Sequence, residues 1–222
     1  MCTVTFIGVP NGFTLTSNRD EKSSRKTLLP AHYSINNENI LFPKDETANG
    51  SWIALGQNGK TACLLNGAFD KHVRTIPYNR SRGLILLESF NYKNHSEFIQ
   101  KVDLINVEPF TLILVGENHN PSLYELKWDG NKKHVKELSC KENHIWSSST
   151  LYSEAVANKK EKWFKNWMLS NSNIIDKNIF DFHNRKHASV DNEDVLSDFG
   201  KALKTISITT VSVQGEKSHM RY

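Results

Sequence analysis

With 222 residues, a formal net charge of +4, 38% hydrophobic and 23% charged residues, the chain has the composition of a soluble globule long enough for one sizeable core. The mild charge, with no lysine or arginine block, excludes a nucleic-acid stripe. Three cysteines, Cys2, Cys63 and Cys140, make neither a disulfide framework nor a metal-ligand spacing, so no metal or cofactor is expected and a reducing compartment, the cytoplasm, is. Apolar runs of about five residues are too short to span a bilayer, and no basic region followed by an apolar stretch marks a secretory signal.

The chain opens on a strand: Val4, Phe6 and Val9 are apolar, with β-branched Thr3 and Thr5 between them. Pro10-Asn11-Gly12 signals a tight hairpin turn, and Phe13 to Thr16 reads as the returning strand. The return ends in a polar run, Ser17-Asn18-Arg19-Asp20-Glu21, whose start should lie beside Cys2. A thiol, an amide, a guanidinium and two carboxylates then collect at one sheet end. Cys2 follows the initiator methionine, and aminopeptidases remove Met1 before a small residue. The α-amine so exposed has a pKa of about 8 and is partly neutral at physiological pH. Cys2 can then use its own amine as base, a known way to activate a nucleophile. Arg19 would favour the thiolate, and Asp20 or Glu21 would orient the amine. The plainer reading is a small buried hydrophobe at a strand end.

Lys22 to Asn39 is polar and turn-rich, with Pro30 and Asn36-Asn37, and reads as a long loop over one edge of the site. Arg25 and His32 on it face either substrate or solvent. Ser51 to Leu55 and Thr61 to Leu65 flank Gln57-Asn58-Gly59-Lys60, a strong hairpin signal, with Trp52 and Cys63 packing between sheets. Asn66 ends the second of these strands, just before Gly67. Its amide is either an oxyanion donor or the first residue of a turn.

Ser81 to Phe90 reads as a helix capped by Ser81, with Leu84, Leu87 and Phe90 on one face. A second helix, capped by Ser96, runs to Ile105 with Phe98, Val102 and Ile105 inward. Phe110 to Val115 is a strand buried on both faces. Leu123 to Trp128 and His134 to Leu138, around Asp129-Gly130-Asn131, continue as a meander in the second sheet. Ile145 and Trp146 begin a short strand that delivers Ser147, Ser148 and Ser149 to its end, as turn residues or, for Ser148, as a donor. Tyr152 to Met168 is the clearest helix. Val156, Lys160, Trp163, Phe164, Trp167 and Met168 set an aromatic stripe among lysines, facing the core rather than a membrane. Another helix covers Asn173 to Phe182, a polar surface excursion His183 to Phe199, and a last alternating strand Lys204 to Val213. No repeat or linker interrupts the chain, so 1–222 reads as one domain.

Met1-Cys2-Thr3-Val4-Thr5-Phe6 together with Thr16-Ser17-Asn18-Arg19-Asp20-Glu21 resembles the NRDE (transport and Golgi organisation 2-like) family, named for that tetrapeptide. The resemblance continues through Phe42-Pro43-Lys44-Asp45, Gly50-Ser51-Trp52-Ile53-Ala54, Cys63-Leu64-Leu65-Asn66-Gly67-Ala68-Phe69, Ser81-Arg82-Gly83, Ser147 to Tyr152 and Lys204 to Thr209, nearly the whole chain. It implies an N-terminal nucleophile hydrolase: an α+β fold, a four-layer αββα sandwich. It further implies that Cys2 attacks a linear carbon–nitrogen amide bond of a small-molecule or acyl substrate. Asn18, Arg19 and Asp20 would surround Cys2, and Asn66 would serve the oxyanion. Related cysteine amidases carry Arg at the position of Ser17 and Asn at that of Ser148. Arg19, two residues after Ser17, shares its strand face. Some family members are linked to haem or acyl-lipid handling. The other function implied is therefore a binding or trafficking protein holding haem or lipid in the cleft, with Cys2 as ligand or vestige.

Overall fold

The computed structural model describes residues 3–72, 78–117, 121–171, 176–184 and 203–222. The expected opening hairpin is formed by β1 (Thr3–Val9) and β2 (Gly12–Lys22), and Asn11 makes its turn at φ 58°. β2 does not stop at Thr16. It carries the whole polar run to Lys22, because a distant strand, β11 (Leu203–Gln214), returns to pair with it from Gly12 to Lys22. β10 (His144–Ser147) flanks β1, and β12 (Lys217–Arg221), which the pattern does not announce, flanks β11. The smaller sheet is thus ordered β10-β1-β2-β11-β12.

The larger sheet runs in chain order: β3 (Thr27–Ile35), β4 (Glu38–Asp45), β5 (Ile53–Leu55), β6 (Thr61–Asn66), β7 (Phe110–Val115), β8 (Leu123–Trp128) and β9 (Lys133–Leu138), each antiparallel to the next. The stretch Lys22 to Asn39 is therefore not a loop. It holds β3 and the start of β4, joined at Asn36 and Asn37, whose φ of 48° and 69° suit a two-residue hairpin turn. Its polarity has a physical reason: β3 is an edge strand, mostly exposed. Pro30 sits where the pairing register shifts between Leu28 and Ala31, a place that tolerates a missing N–H.

Helices cover the outer face of each sheet. α1 (Arg82–Glu88) starts at the expected cap, Ser81, and packs on β5 and β6. α2 (His95–Lys101) is capped by Asn94 rather than Ser96 and is finished by Val102. Phe98 and Val102 are buried as expected, but Ile105 lies past the helix end and is 67% exposed. α3 (Glu154–Ser170) packs on β10, and α4 (Asp176–Asn184) on β2 and β11. Val156, Lys160 and Phe164 form the buried side of α3, while Trp163, Trp167 and Met168 are half-buried. The first residues of the expected last helix and most of the expected excursion, 172–175 and 185–199, lie outside the described residues.

Two sheets between two helical layers make the expected αββα sandwich. Its main core lies between and behind the sheets, with Val4, Phe6, Phe13 and Leu15 from the smaller and Ile53, Cys63, Leu65 and Ile113 from the larger. Each such side chain contributes about 1.5–3 kcal/mol of burial.

Candidate active site at the start of the first strand

Alternation along β2 divides the polar run between two faces. Ser17 and Arg19 point towards the larger sheet, where Ser17 lies beside the Cys63 thiol. Arg19 crosses to that sheet: its Nη2 donates to Asp45 Oδ2 at 2.9 Å and its Nη1 to Thr27 Oγ1 at 2.9 Å. The guanidinium also lies 4.4 Å over the Trp52 ring. Arg19 is 3% exposed and Asp45 7%. Asp45 Oδ2 also accepts from Arg25 Nε at 2.7 Å, and Oδ1 accepts from the N–H groups of Thr47 and Ala48. Burial pushes the Asp45 carboxyl up, but the Ala48 N–H and the two guanidinium groups outweigh it and leave the group below its ordinary value. Burial lowers Arg19 against the opposing pull of Asp45. An arginine starts so high that it stays charged.

Asn18 and Asp20 point the other way, into the helical layer. Asn18 Nδ2 donates to the His183 carbonyl at 3.1 Å, and its Oδ1 accepts from His183 Nδ1. An amide oxygen only accepts, so this network assigns the His183 proton to Nδ1. Nε2 then accepts from the Thr5 hydroxyl at 2.8 Å. That is a neutral imidazole, and burial followed by the nearby Lys160 charge pushes its pKa down to about 3. Asp20 accepts from the Tyr152 hydroxyl at 3.2 Å and the Thr205 hydroxyl at 2.5 Å. Lys160 Nζ donates to Thr3 Oγ1 at 2.8 Å and lies 3.6 Å from the centre of the Tyr152 ring. The structure therefore gathers Asn18 and Asp20 around the helix side of β1, and sets Arg19 apart from them on the cleft side.

Ser148 and Asn66 come together at the same end of the sandwich. β1 pairs with β10 so that Thr3 faces Ser147, which sets Ser148 just beyond the start of β1. Ser148 Oγ donates to the Asn66 carbonyl at 2.8 Å, a bond that ties the end of β10 to the end of β6 across the two sheets. Its one proton thus goes to a backbone carbonyl, with the Thr150 hydroxyl 2.9 Å away. Asn66 is half-buried and followed by Gly67 at φ 81°. A Cβ on Gly67 would lie 2.3 Å from Ser149 Oγ, so only glycine fits beneath the serine loop. Thr111 Oγ1 donates to the Gly67 carbonyl at 2.9 Å and holds that turn.

Cys2, with Met1, lies outside the described residues. The other two thiols are unsuited to nucleophilic work. Burial, against weaker opposition from Ser17 and the Leu64 N–H, pushes Cys63 up to about 12. Burial and then Glu137 raise Cys140. Arg25 turns to Asp45 and Glu21, and His32 is exposed on β3. Among the described residues no His, Cys, Asp and Glu group is arranged to hold a metal ion, and no helix is long and apolar enough to cross a membrane.

Sequence reasoning did not find Asp45, Thr27, His183 or Tyr152 as partners of the polar run. For Asp45 the one available signal is its place in the Phe42-Pro43-Lys44-Asp45 block, which carries the resemblance but says nothing of Arg19. Lys160 had a signal: a lysine four residues from both Val156 and Phe164, inside an apolar stripe.

The family model for Transport and Golgi organisation 2 matches residues 1–221. Among solved structures the chain is similar to a variant of conjugated bile acid hydrolase from Clostridium perfringens, with a TM-score of 0.60 and 11% identity over 99% of this chain and 88% of that one. It is also similar to the Caenorhabditis elegans ortholog of N-acylethanolamine-hydrolysing acid amidase, with a TM-score of 0.62 and 9% identity over 97% of this chain and 94% of that one. Both neighbours have the N-terminal nucleophile hydrolase fold, and at such identity the likeness shows the fold alone. No curated protein matches the chain.

Proposed function

The chain belongs to the Transport and Golgi organisation 2 family, and from that premise we propose that it is a cysteine amidohydrolase cleaving a linear carbon–nitrogen amide bond of a small-molecule or acyl substrate. The observation that supports this reading most is Arg19. It is a buried cation held between the sheets by Asp45, one strand away from the start of β1, at the end where Ser148 ties Asn66 in place.

On this reading Met1 is removed and Cys2 becomes the terminal residue. Its neutral α-amine takes the thiol proton, and Arg19 favours the thiolate. The sulfur attacks the amide carbon, and the carbonyl electrons move to oxygen. The Asn66 side-chain amide donates to that oxyanion. The ammonium then returns its proton to the leaving nitrogen as the carbon–nitrogen bond breaks, and water hydrolyses the thioester. Ser148 positions Asn66 instead of donating. Asn18 and Asp20 act at one remove, fixing the first strand through His183, Thr5 and Tyr152. N-Acylethanolamines, which the second structural neighbour hydrolyses by its name, are amides of the proposed class.

Intact mass and thiol labelling test the reading. The purified protein is expected to lack the mass of Met1. An iodoacetamide probe at neutral pH should label one thiol, and the label should vanish in Cys2→Ser while Cys63 and Cys140 stay silent. A retained methionine, or labelling indifferent to Cys2→Ser, would remove the mechanism.

A further inference from the structure

The outer face of the larger sheet carries a second concavity, on the side facing away from the cleft between the sheets. The edge hairpin β3–β4 and helix α1 do not close on one another. They leave a cavity of about 630 Å³, within the range of roughly 300–1,000 Å³ typical of small-molecule sites. One wall is aromatic: Tyr33 and Phe42 stack with ring centres 4.4 Å apart. The facing wall is Leu84, Leu87 and Tyr92. Leu84 belongs to the apolar stripe of α1, yet it is 39% exposed on this cavity.

The charges around the cavity are unequal. Arg80 is engaged by Glu88 and by the Asp103 carbonyl, and Glu88 also accepts from the Tyr92 hydroxyl at 3.3 Å. These groups neutralise one another within the wall. Lys44 is different: its ammonium stands 5.7 Å over the Tyr33 ring, and among the described residues its contact is that ring face and not a carboxylate. Asn49 also lines the cavity. The cavity therefore offers an apolar lining, most open at Tyr33 and Leu84, and one cation whose charge is not matched from within.

We propose that this cavity binds a small amphipathic organic anion. Its apolar body packs along the half-buried Tyr33 ring and the exposed Leu84 side chain, and its single carboxylate meets the Lys44 ammonium and the Asn49 amide. The site uses no residue of the hydrolytic reading and stands or falls without it.

Titrating the full chain with 2-naphthoate and with the uncharged 2-naphthamide, followed residue by residue through ¹H–¹⁵N chemical shifts, tests the proposal. Naphthoate should give saturable shifts at Tyr33, Phe42, Lys44 and Leu84, and bind about five- to tenfold more tightly than the amide, the size of one partly screened charge pair. Lys44→Gln, a change at a half-buried surface position whose spectrum reports folding directly, should abolish that preference by weakening naphthoate alone. Leu84→Glu, which adds a carboxylate to the rim, should weaken naphthoate more than naphthamide. Cys2→Ser should change neither affinity. The proposal is overturned by shifts that do not saturate, by shifts centred on Arg19, Asn66 and Ser148, or by equal affinities that Lys44→Gln leaves unchanged.

Discussion

Replacing Asp45 by Asn asks the most of the arrangement between the sheets. The variant keeps the shape of the side chain, and its remaining oxygen can still serve the Thr47 and Ala48 N–H groups that now bind Oδ1. The Oδ2 position, which accepts from Arg19 and Arg25, becomes an NH₂ group facing two donors. Arg25, 40% exposed, can turn to water and Glu21. Arg19, 3% exposed, cannot, and it is left as a buried cation with the Thr27 hydroxyl and the Trp52 face. Breaking a buried pair by removing one partner costs about 3–5 kcal/mol, and these surviving contacts place the cost near the low end, about 3 kcal/mol. With a urea m-value of roughly 2–3 kcal/mol/M, the unfolding midpoint should fall by about 1–1.5 M. Adding Arg19→Met should restore most of that loss, because no unpaired charge then remains. Asp45 has a lowered pKa in the fold, so its contribution is present above the unfolded value of about 3.9 and is lost as pH falls through the folded value. Wild type and Asp45→Asn should accordingly converge in strong acid. Urea unfolding followed by circular dichroism reads all of this. A midpoint shift below about 0.3 M, or strictly additive single and double variants, would refute the reasoning.

Four further outcomes are expected. Burial, with Lys60 for His95 and Lys160 for His183, holds both histidines down to about 3. The unfolded chain takes up these protons first, so their stability is complete above about pH 6.5 and lost towards pH 3, at up to about 1.4 kcal/mol per pH unit for each histidine. Denaturant midpoints between neutral pH and pH 4.5 should show that fall, and His183→Gln should remove about half of its slope. Gly67→Ala meets both a φ of 81° and a Cβ site 2.3 Å from Ser149 Oγ, and should cost about 2–3 kcal/mol, visible as a lower melting temperature. On the proposed mechanism, Asn66→Ala should lower kcat on an N-acyl amide by about a hundred- to thousandfold with the fold intact. Ser148→Ala, which only loosens the Asn66 backbone, should lower it by about tenfold or less.

Local chemistry carried most of the fold. The opening hairpin, β5 with β6, the Ser81 cap and the β7–β8–β9 meander were legible because side-chain alternation and turn residues act within a few positions. β3 was not, since an edge strand with a solvated face need not alternate apolar with polar residues, and Pro30 argued against a strand. Ile105 followed the helical spacing of Phe98 and Val102, but α2 had already ended, and spacing alone does not report where hydrogen bonding stops.

The site was legible in its reactive groups and not in their partners. Arg19 meets Asp45 across 26 residues of chain, and Asn18 meets His183 across 165. Nothing in a run of neighbours encodes contacts so distant.

By itself the sequence determined that the first strand folds back on its polar run, and that adjacent members of that run point to opposite faces, because the strand repeats every two residues. Only the tertiary structure decided which face is which. β11 paired along the run and α4 covered one side of it, and this turned Asn18 and Asp20 to the helices and left Arg19 for the cleft. Alternation fixes relative direction, but inside and outside exist only once the layers have closed around the strand.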